Sequence, residues 1–248
     1  MRLIVFIIVS VMLVSCATQP VDSGRIPENI EAAELNIQLG ANYISSGEYQ
    51  LADDKLQKAF LQDPNSSVAR WTYAILQENL NQPVTAEYYY KEALKINSKD
   101  SRGQQSYASF LCRNGRYQEA DIHYNKALSD PLFKNREAIS VGAGVCAMAI
   151  PDYQSAQKYL SEAIRLNPKN RVALYQLAKS HFLQDDFATA QSYLRDFEEV
   201  SKHTAQSLLL AYRTERGLGN NRIAQSYAKL LNDQFPGSKE AEQLERLN

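Results

Sequence analysis

The chain has 248 residues, of which 44% are hydrophobic and 22% are charged, and its formal net charge at pH 7 is −1. This length suits one large domain or an array of repeats. The near-neutral balance argues against a nucleic-acid-binding protein, because such proteins usually carry a strongly basic face.

The first segment, residues 1–15, is predicted to be a signal peptide. Arg2 supplies a positive charge, and an apolar run from Leu3 to Val14 follows it. A bilayer-spanning helix needs about 20 apolar residues, so this run is too short to span, but it fits the apolar region of a signal peptide. The run leads into Leu13-Val14-Ser15-Cys16, which resembles a bacterial lipobox. The alternatives are an ordinary signal peptide with a chance cysteine and a membrane-embedded core helix.

The lipobox resemblance implies that Cys16 is acylated through its thiol and becomes the new N-terminus. A single acyl chain binds membranes only marginally, whereas two or more anchor a protein stably. The next residue is Ala17 and not aspartate. By resemblance to lipoprotein sorting in Gram-negative bacteria, this implies a lipid anchor in the outer membrane, on its periplasmic face. Residues 16–30 are largely polar and contain proline, and we interpret them as a tether.

Between residues 31 and 236, an alanine recurs at a nearly constant spacing. The steps between successive alanines are 34, 34, 36, 34 and 34 residues. A period of 34 residues is typical of the tetratricopeptide repeat, a unit of two helices. The sequence therefore predicts an all-α protein, an α-α superhelix of six such repeats, with a polar C-terminal capping helix at residues 237–248. The recurring alanines are Ala52, Ala86, Ala120, Ala156, Ala190 and Ala224.

Other positions repeat in register with these alanines. A small residue on the first helix is expected where the second helix crosses it, because small residues let two helix axes approach closely. The two extra residues of the longest step fall around residues 129–133, which predicts a longer loop there. The turns within the repeats are predicted at Gly47, Asn81, Gly115, Pro151, Asp185 and Gly219. The small residues are Gly40, Ala74, Ala108, Gly144 and Ala178, with Tyr212 as the exception, and the larger side chains around them include Leu56, Tyr90, Tyr124, Leu160 and Leu194.

Two cysteines remain besides Cys16. Cys112 and Cys146 fall late in the first helices of repeats three and four, which are neighbours in the predicted stack. The periplasm is oxidising, and an even pair of cysteines there favours a disulfide. The alternative is two buried free thiols that pack as small apolar groups.

The sequence carries no recognisable catalytic motif. The three histidines, His123, His181 and His203, lack the spacing of metal ligands. A glycine-rich phosphate loop, a nucleophile elbow and a zinc-protease helix are all missing. We therefore predict that the protein is not an enzyme and uses no metal, cofactor or small-molecule substrate.

The first helices of stacked repeats line the concave side of a superhelix. Their inward-facing residues in repeats one and two are mostly apolar, which predicts a groove for a segment of another protein. Trp71, the only tryptophan, is the expected anchor; the alternatives are that it packs between repeats as core, or that the tether covers the groove. The predicted groove residues are Ile37, Ala41, Ile44, Val68, Trp71 and Ile75. The same spacing predicts that six residues of the last two repeats also face the concave side: Tyr175, Lys179 and Phe182 of repeat five, and Leu209, Arg213 and Arg216 of repeat six.

Three blocks carry a resemblance to a known family: YASFLCRNGRYQEADIHYNKALSDPLF at 107–133, VGAGVCAMAIPDYQSAQKYLSEAIRLNP at 141–168 and TERGLGNNRIAQSYAKLLNDQFPGS at 214–238. With the lipobox, they resemble the type IV pilus biogenesis/stability lipoproteins of the PilF/PilW family. The resemblance implies a pilotin in the outer membrane that binds a subunit of the pilus secretin, promotes its localisation and multimerisation, and supports pilus stability and twitching motility. The alternative is a scaffold for another envelope machine, in outer-membrane protein insertion or in recruitment of peptidoglycan enzymes.

Overall fold

The computed structural model describes residues 28–247. The predicted signal peptide, Cys16 and most of the predicted tether lie outside the described residues. Within the described range the chain is all-helical and contains no strand. The helices are α1 Glu28–Ser46, α2 Tyr49–Gln62, α3 Ser67–Asn79, α4 Pro83–Ile96, α5 Ser101–Arg113, α6 Tyr117–Leu128, α7 Arg136–Ala147, α8 Tyr153–Leu166, α9 Arg171–Phe182, α10 Phe187–Val200, α11 Ala205–Gly217, α12 Asn221–Gln234 and α13 Lys239–Glu245.

Helices α1 to α12 form six pairs, each made of two successive helices that pack on one another. The first helix of each pair also contacts the first helix of the next pair, so the pairs form a continuous stack. The last helix, α13, packs on α11 and α12 as the first helix of a further pair would do. The predicted superhelix of six repeats with a capping helix is therefore confirmed. Among helices within residues 28–247, none is both long and apolar enough to cross a bilayer.

Helix α1 begins at Glu28, inside the segment that was predicted to be tether. Relative to its small residue, it starts more than one turn earlier than α3 does. The reason is visible in the spacing of Ile30, Ala33 and Ile37, which places three apolar residues on one face of a helix. Ala33 is 1% exposed. The helical part of the chain therefore begins earlier than the sequence analysis predicted.

Turns join the two helices of each repeat at all six predicted places. Five of them contain a residue in the left-handed region, a conformation that glycine, asparagine and aspartate adopt most readily. The fourth turn holds Pro151, whose ring fixes φ near −65°. There the backbone N–H of Asp152 donates to the carbonyl of Ile150 at 2.6 Å. The left-handed residues are Gly47, Asn81, Gly115, Asp185 and Gly219, with φ of 80°, 58°, 76°, 58° and 78°.

The loop between repeats three and four is the longer one predicted from the sequence. Helix α6 ends at Leu128 and α7 begins at Arg136. The Arg136 guanidinium spans this loop, since its Nη1 donates to the carbonyl oxygen of Leu128 at 2.6 Å and to that of Asp130 at 3.0 Å. The loop is thus fastened at both ends by one side chain.

The core of each repeat is a contact between a small residue and a large one. All six recurring alanines are 0% exposed. A Cβ added at Gly40 would lie 2.8 Å from Leu56 Cγ, and one added at Gly144 would lie 2.5 Å from Leu160 Cγ. The two helices therefore pack too closely for a side chain at the glycine, as the repeat pattern predicts.

Repeat six reverses this arrangement. Tyr212 stands where the other first helices carry glycine or alanine, and it is 2% exposed. The second helix compensates, since Ala228 stands where the other repeats carry leucine or tyrosine. Tyr212 and Ala228 belong to one buried cluster with Ala241 and Leu244 of α13. The sequence pattern shows the exception at Tyr212, but the compensating change at Ala228 was not predicted.

Candidate functional site: a groove between the first two repeats

A groove of about 560 Å³ lies between α1 and α3 on the face formed by the first helices. Four of the six predicted groove residues line it: Ile37, Ala41, Val68 and Trp71. Ile30 and Ala33 also line it, so the early start of α1 builds part of the wall. Around this apolar surface are polar side chains, among them Glu34, Gln38, Asp63, Asn65 and Arg102. The groove is thus an apolar strip with a polar rim, the usual composition of a protein-binding surface.

The other two predicted residues lie outside this groove. Ile44 is half-buried and packs against the cluster that contains Leu56. Ile75 is also half-buried and packs against the cluster that contains Tyr90. Helical spacing therefore gave the correct side of the helix, but neighbouring helices cover its C-terminal half.

Exposure differs along the groove. Val68 is 40% exposed, whereas Ile37 is only 7% exposed. Ala41 and Trp71 are half-buried. Val68 therefore offers apolar surface that a partner can cover, whereas Ile37 is buried beneath the surface of the groove.

Trp71 combines the two roles that the sequence left open. Its ring packs against the core cluster of repeats two to four. Its Nε1 donates to Asp100 Oδ2 at 2.9 Å, and Asp100 Oδ1 accepts from the backbone N–H groups of Arg102 and Gly103 at the start of α5. The indole is therefore held in one orientation by a residue that also caps the next repeat. Its remaining exposed edge belongs to the groove.

A charged network links repeats two and three. The Arg113 guanidinium forms an ion pair with Glu78, and the Tyr90 hydroxyl donates to the same carboxylate. Burial raises the pKa of Tyr90, and the negative charge of Glu78 raises it further, so the hydroxyl remains a donor. These three groups connect α3, α4 and α5. None of the three lines the groove, whose lining from α3 ends at Thr72.

The titratable groups of the repeats act as links between helices. Burial alone would raise the pKa of Glu87, but hydrogen bonds from Lys91, Arg116 and Tyr107 outweigh it and hold the pKa at about 2. The Tyr107 hydroxyl donates to Glu87 Oε1 at 3.0 Å, which joins α5 to α4. In the part of the chain that the structure describes, there is no group of three or more His, Cys, Asp or Glu side chains that could hold a metal ion.

Cys112 and Cys146 are joined by a disulfide in the structure, with their Cα atoms 5.8 Å apart. The bond connects α5 to α7, the first helices of repeats three and four. It therefore crosses the junction that also contains the long loop at residues 129–135. Cys16, the predicted lipidation site, lies outside the described residues.

Comparison with known proteins finds similarity to a pilus assembly protein. The chain is 27% identical over 215 residues to the type IV pilus assembly protein PilF of Pseudomonas aeruginosa, an alignment that covers 87% of this chain and 85% of PilF. No family model matches the chain.

Two solved structures extend the comparison. The structure from the functional characterisation of P. aeruginosa PilF has a TM-score of 0.80 at 27% identity and covers 89% of this chain and 99% of that one. The crystal structure of PilW, a widely conserved type IV pilus biogenesis factor, has a TM-score of 0.77 at 25% identity and covers 86% of this chain and 97% of that one. Similarity in sequence, over nearly the full length, and in fold together show that the chain is a tetratricopeptide-repeat protein that is homologous to PilF and similar in structure to PilF and PilW.

Proposed function

We propose that this protein is an outer-membrane pilotin that holds a segment of the type IV pilus secretin in the groove between α1 and α3. In this role it promotes the localisation and multimerisation of the secretin in the outer membrane, and so supports pilus assembly, pilus stability and twitching motility. It acts by binding and not by catalysis. The observation that carries the proposal is a half-open apolar groove on a homologue of a pilus assembly protein.

The groove suits an amphipathic helix or an extended segment. Val68 and the exposed edge of Trp71 offer apolar surface, and the polar side chains of the rim can bind the backbone or polar groups of a ligand. The bond from Trp71 to Asp100 fixes the indole before a ligand arrives. Ordering a side chain on binding costs about 0.5–1.5 kcal/mol, so a ring that is already fixed avoids this cost.

The lipid anchor would determine where this groove works. If Cys16 is acylated, residues 17–27 connect the membrane to the start of α1. Fully extended, a segment of this length spans at most about 40 Å. The groove would then lie within one domain diameter of the periplasmic face of the outer membrane, where the secretin ring must assemble.

Val68→Glu is expected to weaken binding to the purified secretin subunit at least about tenfold, because it places an unpaired carboxylate against the apolar strip that the ligand must cover. The matched control is Val84→Glu. Val68 and Val84 are both the second residue of their helices, so helix-end effects are the same, but Val84 is 84% exposed and lies on the second helix of its repeat. Equal binding by the two variants and the unmodified chain, measured by titration calorimetry, would remove the groove from the proposal.

A pull-down from envelope extracts tests the alternative scaffold function. Recovery of barrel-assembly or cell-wall proteins without the secretin would favour that alternative.

Cys16→Ser is expected to shift the protein from the outer-membrane fraction to the soluble periplasmic fraction, because the acyl chains can no longer be attached. The measurement is membrane fractionation followed by immunoblotting. A Cys112→Ala variant, which leaves the lipobox unchanged, serves as the control and should stay in the membrane. If the Cys16→Ser protein stays in the outer membrane, the anchor argument is wrong.

A further inference from the structure

A second pair of hollows lies at the other end of the inner face, over repeats five and six. One, of about 450 Å³, lies between α9, α11 and α13, and the other, of about 360 Å³, adjoins it. They share Phe182, Leu183 and Arg213, so they form one continuous surface. We call this surface the basic–aromatic hollow; its residues used below are Tyr175, Lys179, Phe182, Leu209, Arg213 and Arg216.

The charge of this surface differs from that of the groove in repeats one and two. Lys179 and Arg213 line the first hollow, and Arg213 and Arg216 line the second. All three cations are exposed, and among the described residues none has a carboxylate oxygen within 4.0 Å. Asp185 and Glu240 lie at the edges of the hollows without reaching these cations. The cations are therefore available to an anionic ligand.

Aromatic rings hold two of these cations in place. The Arg213 guanidinium lies over the Phe182 ring, 5.0 Å from its centroid. The Arg216 guanidinium lies 5.9 Å from the centroid of Tyr212 and its Nη1 donates to the Tyr212 hydroxyl at 3.3 Å. A guanidinium has five N–H groups, so contact with one aromatic ring, even with one hydrogen bond to it, leaves other N–H groups to donate to a carboxylate. The geometry thus resembles a prepared site for acidic groups next to apolar surface.

We propose that the basic–aromatic hollow is a second docking surface, which binds an acidic segment of a partner protein. Carboxylates of the segment pair with Lys179, Arg213 and Arg216, and an apolar side chain of the segment packs against the half-buried Tyr175, with the buried Leu209 beneath it. Charge complementarity identifies the ligand as anionic, and the apolar floor suits a polypeptide side chain. This surface is separate from the groove between α1 and α3, and the inference does not depend on the function proposed for that groove.

Shape and net charge argue against two other anionic ligands. A flat bilayer cannot enter a hollow on the inner face of a superhelix, so the cations cannot contact lipid headgroups together. A nucleic acid would meet the field of the whole chain, whose net charge is −1, and such ligands usually require a strongly basic face. A flexible acidic segment of a protein can enter the hollow, and its binding does not require a strongly basic face.

The test uses a fluorescein-labelled peptide of glutamates with a central phenylalanine, titrated into the full chain carrying Cys16→Ser and its native C-terminus. We expect saturable binding that weakens as salt is added, because salt screens the charge pairs. Arg213→Gln with Arg216→Gln is expected to weaken binding at least about tenfold. The control, Arg222→Gln with Lys229→Gln, removes two exposed cations from α12 of the same repeat and should bind like the unmodified chain. Lys179→Gln, on a different helix, should weaken binding less but in the same direction.

Several outcomes would overturn the proposal. One is the absence of saturable binding by the unmodified chain. Others are equal binding of a peptide in which glutamine replaces every glutamate, or an equal loss of binding in the α12 control. Binding to phosphatidylglycerol vesicles that depends on Arg213 and Arg216, without peptide binding, would assign the surface to lipid instead. Thermal unfolding of each variant shows whether its loss of binding reflects loss of fold, and Lys179→Gln provides the decisive comparison if the double variant unfolds.

Discussion

Removing the disulfide between Cys112 and Cys146 is expected to lower the free energy of unfolding by roughly 3–4 kcal/mol. The two cysteines are separated by 34 residues, and cross-linking a loop of that length restricts the unfolded chain by about this amount on the chain-entropy model. For a chain of this size, the expected fall in melting temperature is about 10 °C. The variant is Cys112→Ala with Cys146→Ala, because alanine leaves no buried hydroxyl at Cys146, which is 3% exposed.

Loss of the bond is also expected to change the shape of the unfolding transition, because of where the bond lies in the stack of repeats. In a repeat array, stability is the sum of terms within repeats and terms between neighbours. The junction between repeats three and four contains the long loop at residues 129–135, and the disulfide crosses it. Without the bond, we expect the single unfolding transition to broaden or to divide into two, for repeats one to three and for repeats four to six.

The single variants separate the bond from ordinary packing. If the bond is the cause, Cys112→Ala and Cys146→Ala each remove all of it, and each should destabilise nearly as much as the double variant. If only packing matters, the two effects should add. A reducing agent should lower the melting temperature of the cysteine-containing protein and leave the double variant unchanged. Thiol labelling of the unreduced protein, prepared with Cys16→Ser, gives a direct check. Two labelled thiols would show that Cys112 and Cys146 are not bonded and would contradict the prediction.

The architecture could be predicted from the sequence because each contact between two helices requires particular residue sizes at fixed positions of the repeat. Gly40 and Gly144 are small because Leu56 and Leu160 occupy the space where a side chain would be. A small residue stands at this position in repeats one to five, so a single chain repeats the evidence for one contact several times. The long loop between repeats three and four was predictable for the same reason, since any insertion shifts the register.

The groove could be predicted only in part, because exposure depends on the neighbouring helices and not on spacing alone. Ile44 and Ile75 have the inward spacing, yet both pack against buried clusters. Ile30 was missed because a polar, proline-containing segment resembles a linker. The available signal was its apolar spacing to Ile37, together with a proline at position 27, since proline is also favoured at the first turn of a helix.

Tyr212→Ala is expected to destabilise repeat six and the capping helix by about 3–5 kcal/mol, the usual cost of removing a buried aromatic side chain. Tyr212 is 2% exposed and shares a buried cluster with Ala228 of α12 and with Ala241 and Leu244 of α13. The cavity would therefore lie where α11, α12 and α13 meet. Circular dichroism during thermal unfolding should show early loss of helix from this end, and hydrogen exchange should locate it in α12 and α13.

Size compensation between Tyr212 and Ala228 makes a stronger test than either change alone. Ala228→Leu by itself should overpack the cluster and cost about 1–3 kcal/mol. Combined with Tyr212→Ala, it restores the order of the other five repeats, with a small residue on the first helix and a large one on the second. The double variant should therefore be more stable than Tyr212→Ala, so that the two free-energy changes are strongly non-additive. If they simply add, the two side chains do not share one space, and the reversal in repeat six is a coincidence of sequence rather than a packing exchange.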